Sequence, residues 1–209
     1  MLSETFSKLL FCWFQIIYVT RNPKDTCVSY YHHCRFIEGF KGEFNDFCDL
    51  FIEGKGKKIF QQCRLCLMVI STIKSTVSPR DFGPFWTNVS QYWERRNQPN
   101  VFFLKYEDLK KDLPACIKEM TKFLGKHLNE DQIKLLTNHL SFSSMKTNKA
   151  VNYDDFITLH KNYKLIETDG DFIRAGNVNG YKGEMTEELI RKLDMWMEEQ
   201  PDSEKLGYR

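Results

Sequence analysis

At 209 residues, with 42% hydrophobic, 28% charged and 14% aromatic side chains, the chain can bury the core of one ordinary domain and is too apolar for a disordered tail. Lys and Arg number 30 against 28 Asp and Glu, and a formal charge of +2 is too small for a protein that neutralises phosphates along a nucleic acid, so none is expected as partner. The seven cysteines, an odd number at irregular spacing, read as reduced thiols in a cytoplasmic protein.

Leu9 to Val19 is nearly all apolar but too short to span a bilayer, and Thr20-Arg21-Asn22-Pro23 stands where a cleavage site would need small residues. No membrane association is expected. Gln15 to Thr20 is a β-branched, unbroken run, the pattern of a strand covered on both faces in a parallel sheet. Asn22 suits an N-cap, Pro23 the first helical position and Asp25 the first turn, which predicts a helix from Pro23 to about Arg35. Further on, Gly56 to Asp81 carries Leu65-Cys66-Leu67-Met68-Val69-Ile70, unusually apolar for a surface loop. Its Cys63 and Cys66 form a lone CxxC, and a tetrahedral zinc site wants four ligands, so no metal is expected.

Phe85, Trp86, Val89, Tyr92 and Trp93 fall on one helical face, and the sequon Asn88-Val89-Ser90 lies inside that pattern. Val101 to Leu104 reads as a second strand, followed by Tyr106-Glu107-Asp108 and an amphipathic helix with Ile117, Met120, Phe123 and Leu124, closed by Gly125. Ile133, Leu136 and Leu140 form another stripe behind Asn129 as cap. Lys146 to Asp171 shows no sustained period and reads as a long surface excursion. Leu189, Ile190, Leu193, Trp196 and Met197 make a last helix starting near Thr186. Two strand-to-helix units predict an α/β fold in a single domain over residues 1–209.

In open parallel sheets ligands bind beyond the carboxyl ends of the strands, where helix N-termini favour anions. Arg21 stands at such an end with Ser29 on the following helix; the pair reads as phosphate ligands or as surface ion-pair partners. Tyr106 ends the second strand and could stack on a base or fill the core. Arg174 to Gly180 joins a cation to a Gly-rich backbone, either an approach to a ligand or a plain surface turn.

Tyr18 to His33, reading YVTRNPKDTCVSYYHH, closely resembles the 3′-phosphate-binding motif of the cytosolic sulfotransferases. Leu104 to Leu109 resembles the strand end that follows it, His139 to Met145 the adenine-side segment, and Arg174 to Thr186 a worn copy of the C-terminal RKGxxGDWKNxFT motif. The resemblance covers about Gln15 to Lys55 and Phe82 to Lys192. It implies a three-layer α/β fold with a parallel sheet related to P-loop nucleoside kinases. It also implies transfer of a sulfuryl group from 3′-phosphoadenosine 5′-phosphosulfate to a small alcohol or phenol. Arg21, Ser29 and Arg174 would hold the donor's 3′-phosphate, Gly176 would supply backbone, and Tyr106 and Phe142 would flank the adenine.

The departures are specific. Leu140 replaces the family's usual hydroxyl, Ala175 the motif's Lys, and Gly180, Tyr181 and Gly183 its Asp, Trp and Asn. The dimer motif KxxxTVxxxE keeps Lys182 and Thr186 but has Glu187 and Arg191 at its other two positions, which leaves homodimerisation open. No TYPKSGTTW-type phosphosulfate loop and no KTHLP segment occur in this sequence, so neither the family's catalytic Lys nor its catalytic His is present and no catalytic residue is assigned. His32 and His33 match the motif's variable end and read as packing or surface residues. Residues 1–14 and 56–81 match nothing in the family pattern, as a truncated or mis-assembled coding sequence would leave them. The alternative to an enzyme is an inactive nucleotide-binding or interaction protein on the same scaffold. The resemblance further places the missing phosphate-loop strand between Gln15–Thr20 and Val101–Leu104, so a gap with unpaired inner edges, and hence insolubility or large oligomers, is expected. Ser7 to Phe14 or Leu65 to Ile73 are the segments available to fill it.

Overall fold

The structure, a computed structural model, describes residues 15–55, 84–164, 166 and 172–208. In chain order its elements are β1 (Ile16–Thr20), α1 (Pro23–Ile37), α2 (Phe44–Ile52), α3 (Phe85–Glu94), β2 (Val101–Lys105), α4 (Tyr106–Lys111), α5 (Leu113–Phe123) and α6 (Glu130–His139). Then follow α7 (Phe142–Thr147), α8 (Asp154–Asn162), a 3₁₀ turn at Gly180–Gly183 and α9 (Glu187–Glu198). Each strand leads into a helix and the strands run parallel, the α/β arrangement predicted. No helix among the described residues is long and apolar enough to cross a membrane. The chain divides into two compact units, one comprising Met1–Arg21 and Val89–His139, the other Asn22–Asn88 and Leu140–Arg209.

In the first unit β1 pairs with β2 in register from Ile16 opposite Val101 to Thr20 opposite Lys105. This corrects the expected gap: the two strands satisfy each other's inner N–H and C=O groups, and nothing lies between them. Strand neighbours are chosen by non-local pairing, which the order of segments in a chain does not dictate. The expected insolubility loses its premise with the gap. The two segments offered to fill it lie outside the described residues. A second correction concerns cover: Ile17 and Val19 are 39% and 47% exposed, so β1 is not enclosed on both faces. Alternate strand residues point to opposite sides: on the side of Ile17 and Val19 the cover reaches only β2, where Leu104 is buried and Phe102 packs on Phe123, whereas the side carrying Tyr18 is built over on both strands. There the Tyr18 ring stacks on Tyr92 at 4.1 Å and on its cross-strand partner Phe103 at 5.4 Å. Helices α5 and α6 each begin at a local signal: the Asp112 carboxylate accepts the N–H of Ala115 at 3.0 Å, and Asn129 accepts that of Gln132 at 2.9 Å. Their apolar stripes bury Ile117 and Ile133.

The second unit is built on α1, which starts where predicted, the Asn22 side chain accepting the Lys24 N–H at 2.9 Å, and runs two residues past Arg35. Its inner face buries Cys27, Val28 and Cys34 against Phe40, Phe47, Cys48 and Phe51, and against Leu189 and Leu193 of α9. Thr186 caps α9 by accepting the Leu189 N–H. The predicted surface excursion over Lys146 to Asp171 is corrected in part: it contains α8, whose Ile157 packs with Phe36 and Ile166 in a second small core. That helix has acidic residues, Asp154 and Asp155, in its first turn, but Tyr153 enters it with φ of 60° and no side-chain cap.

Candidate functional site

The geometry starts from Asp25 in the first turn of α1, which is 2% exposed. Its carboxylate accepts the backbone N–H of Asn179 at 2.8 Å and of Tyr181 at 3.0 Å. Two charge-assisted bonds thereby fasten the stretch from Arg174 to Gly183 to the N-terminal turn of α1. Close by, the Lys24 ammonium pairs with Asp194 of α9 and lies 4.9 Å from the centroid of the Tyr181 ring. The loop turns through Gly176 at φ 59° and Asn179 at φ 62°, left-handed conformations that cost least for glycine and little for asparagine. Both readings of this segment, a ligand approach and a surface turn, stay open with its backbone held at Asn179 and Tyr181.

Ser29 lies four residues after Asp25, one helical turn further along α1, and is half-buried. Arg174 forms an ion pair with Glu184 through one carboxylate oxygen. The second oxygen of Glu184 lies 2.6 Å from Nε2 of His32 on α1. Burial pushes the His32 imidazole below its ordinary value of 6.5, and the Arg174 guanidinium adds to that push against the pull of Glu184. For Glu184 burial acts upward, but Arg174 and His32 together hold the carboxyl below its ordinary 4.5.

These shifts fix a sign. Both groups bind protons more readily in the unfolded chain, so their stabilisation is present above the unfolded values and is lost as pH falls through the folded ones. Thermal melts taken downward from about pH 8 are expected to lose stability first below the ordinary histidine value, then again below the ordinary carboxylate value. His32→Gln reduces the first of these steps to the share of His160, whose imidazole burial also pushes below its ordinary value. Parallel curves for wild type and variant between the two values would show that His32 is not the group titrating.

In the first unit Arg21 follows β1 and Tyr106 follows β2. Because the strands end in register, with Thr20 opposite Lys105, the next residues of the two strands meet. The Arg21 guanidinium stands 4.5 Å from the centroid of the half-buried Tyr106 ring, a cation–π contact. Phe142 belongs to the second unit, where it opens α7 behind Ser141, whose hydroxyl accepts the Ser144 N–H at 3.3 Å.

The structure thus joins Arg21 to Tyr106 in one unit and carries Ser29, Phe142, Arg174 and Gly176 in the other. Two things escaped the sequence reading. Asp25 was assigned only a favourable charge in the first helical turn, whereas it also anchors a loop more than 150 residues away. Glu184 stands at a variable position of the C-terminal motif, and its engagement with both Arg174 and His32 had no local signal.

Comparison with known proteins bears on the whole chain. The family profile described as "Sulfotransferase domain" matches residues 6–206. Luciferin sulfotransferase of Photinus pyralis is 44% identical over 182 residues, covering 87% of this chain and 43% of that protein. Sulfotransferase 1E1 of Homo sapiens is 28% identical over 197 residues, covering 93% of this chain and 58% of that protein. Among solved structures, retinol dehydratase in complex with androsterone and the inactive cofactor PAP superposes with a TM-score of 0.70 at 29% identity, over 91% of this chain and 48% of that one. Mouse sulfotransferase SULT7A1 complexed with PAP gives 0.66 at 26% identity, over 93% and 60%. The chain spans about half the length of the relatives it matches.

Proposed function

The chain belongs to the sulfotransferase-domain family, and from that premise we propose that it carries the nucleotide side of a site for 3′-phosphoadenosine 5′-phosphosulfate. The reaction moves a sulfuryl group: the donor's S–O bond to phosphate breaks, a new S–O bond forms to an acceptor hydroxyl, and the hydroxyl proton leaves to a base. Adenosine 3′,5′-bisphosphate is the other product. The acceptor class is a small alcohol or phenol.

The observation that carries the reading is the fastening of the Arg174–Gly183 stretch by buried Asp25. It ties the loop that carries Arg174 and the left-handed Gly176 to helix α1 at Asn179 and Tyr181, a preorganisation that favours anion binding. Ser29 adds a hydroxyl, and Arg21, braced on Tyr106 within the first unit, is offered as a second guanidinium. Tyr106 and Phe142 are offered to the adenine. The same donor chemistry is supported by the PAP carried in solved relatives. A cytoplasmic setting agrees with Cys27, Cys34, Cys48 and Cys116 not being joined in disulfides. The worn dimer motif leaves the oligomeric state to sedimentation, and Thr186 in it already has a structural task as the cap of α9.

Calorimetric titration of the 209-residue chain with adenosine 3′,5′-bisphosphate tests the reading. Arg21→Ala and Arg174→Ala are each expected to weaken binding by about 10- to 100-fold, the loss of a hydrogen-bonded contact to a charged group. Ser29→Ala should cost about fivefold, as for one neutral donor. Affinity unmoved by either arginine variant would remove these residues from the site.

A further inference from the structure

The Arg174 guanidinium assigned to the phosphate already holds an anion, the carboxylate of Glu184. That carboxylate is not a passing surface partner. Its other oxygen is tied to His32 Nε2 at 2.6 Å, and His32 is fixed on α1, the same helix whose Asp25 fastens the loop. Glu184 also directly follows the 3₁₀ turn that Asp25 anchors through Tyr181, so its backbone position is set by the same two bonds. The three side chains are 31%, 34% and 20% exposed for Arg174, Glu184 and His32, which makes the cluster accessible to a solute without being freely solvated.

A carboxylate and a phosphate present similar oxygen pairs to a guanidinium, and both cannot hold the same face of it. A phosphate dianion approaching Arg174 also meets the negative charge of Glu184, whose carboxyl the Arg174 guanidinium and the His32 hydrogen bond hold below its ordinary value.

We propose that Glu184 is an internal competitor for the donor's phosphate, occupying Arg174 in the ligand-free chain so that nucleotide binding requires its release toward His32. The inference rests on the assignment of Arg174 to the nucleotide, and makes Glu184 a determinant of donor affinity at that site. Release need not leave the carboxylate unsatisfied, because the His32 contact survives it. Glu184 is then displaced by rotation of a side chain, not by opening of the loop, since the Asp25 bonds are to the backbone.

Titration of the 209-residue chain and four variants with adenosine 3′,5′-bisphosphate, at fixed pH and salt, tests it. Glu184→Gln keeps the size and the hydrogen-bonding shape but removes the competing charge, and is expected to bind about three- to fivefold tighter, the scale of a partly exposed ion pair. Glu188→Gln changes net charge equally on the neighbouring helix and is expected to move affinity by less than about twofold. Arg174→Ala should weaken binding, and in the Arg174→Ala/Glu184→Gln double variant the gain from the glutamine should vanish, because the competition has lost its object.

Equal binding by wild type and Glu184→Gln, absence of binding in both included, overturns the proposal. So does a gain that persists in the double variant or is matched by Glu188→Gln, since it would then be a bulk charge effect. Failure of the underlying assignment looks different: Arg174→Ala leaves affinity unchanged. As an independent readout, the His32 ring resonances should shift on ligand addition in the wild type and shift less in Glu184→Gln.

Discussion

Incubated with 3′-phosphoadenosine 5′-phosphosulfate and a phenolic acceptor, the 209-residue chain by itself is expected to show no sulfuryl transfer above the uncatalysed rate. The reaction needs a base to take the hydroxyl proton, worth about 10²- to 10⁴-fold, and a cation where charge develops on the leaving oxygen, worth about 10²- to 10³-fold. In the family these come from the lysine of a TYPKSGTTW-type loop and the histidine of a KTHLP segment, and neither segment occurs in this sequence. His32 does not substitute. Its Nε2 is engaged by Glu184, a carboxylate it shares with Arg174. A radiolabelled-donor assay on purified chain checks the expectation, and turnover proportional to chain concentration that survives further purification would overturn it. Nucleotide binding and catalysis thus separate: the first is expected of this chain, the second is not.

What the sequence disclosed about this site follows from how local each signal is. Asn22, Asn129 and Thr186 are caps, each bonding to an N–H two or three residues away, and all three could be named from neighbours alone. Arg21 and Tyr106 were placed by strand ends, again a local reading, but their mutual contact depends on β1 and β2 being direct neighbours in register. That pairing departs from the strand order the resemblance implies, and nothing local to the two segments encodes it. The same limit explains α8: its apolar positions are few, its cap is a left-handed tyrosine, and its burial comes from Phe36, more than a hundred residues earlier. Glu184 was invisible for a related reason. A carboxylate's partners are decided by which helix faces it, and His32 lies 152 residues away.

Asp25 is where sequence signal, fold and site converge, and its replacement is expected to have the largest effect on stability of any single polar substitution considered. The carboxylate is 2% exposed and accepts two backbone N–H groups, those of Asn179 and Tyr181. Hydrogen bonds to a charged acceptor contribute about 1.5 to 3 kcal/mol each, and a buried donor left unpaired costs about 1 to 3 kcal/mol. The Tyr181 N–H is buried and has no route to water, while that of Asn179 is only partly covered, so the full cost applies to one donor and a fraction of it to the other. Asp25→Ala is therefore expected to lower the unfolding free energy by about 3 kcal/mol, a large share of the 5 to 15 kcal/mol typical of a whole domain. Asp25→Asn keeps one acceptor oxygen and turns the other position into a donor facing a donor, so it should recover less than half of the loss. Helix α1 also loses favourable negative charge in its first turn, but that effect is only about 0.3 to 1 kcal/mol and is common to both variants. Urea unfolding measures the total, and amide exchange at Asn179 and Tyr181 tells the loop's release from a general loosening: these two amides should lose protection while those inside α9 keep theirs. A midpoint for Asp25→Ala within about 0.5 kcal/mol of wild type, the range of an ordinary surface substitution, would mean that the Arg174–Gly183 stretch is held by something other than Asp25. The Arg174–Gly183 backbone would then lack the anchor that prepares it for a phosphate.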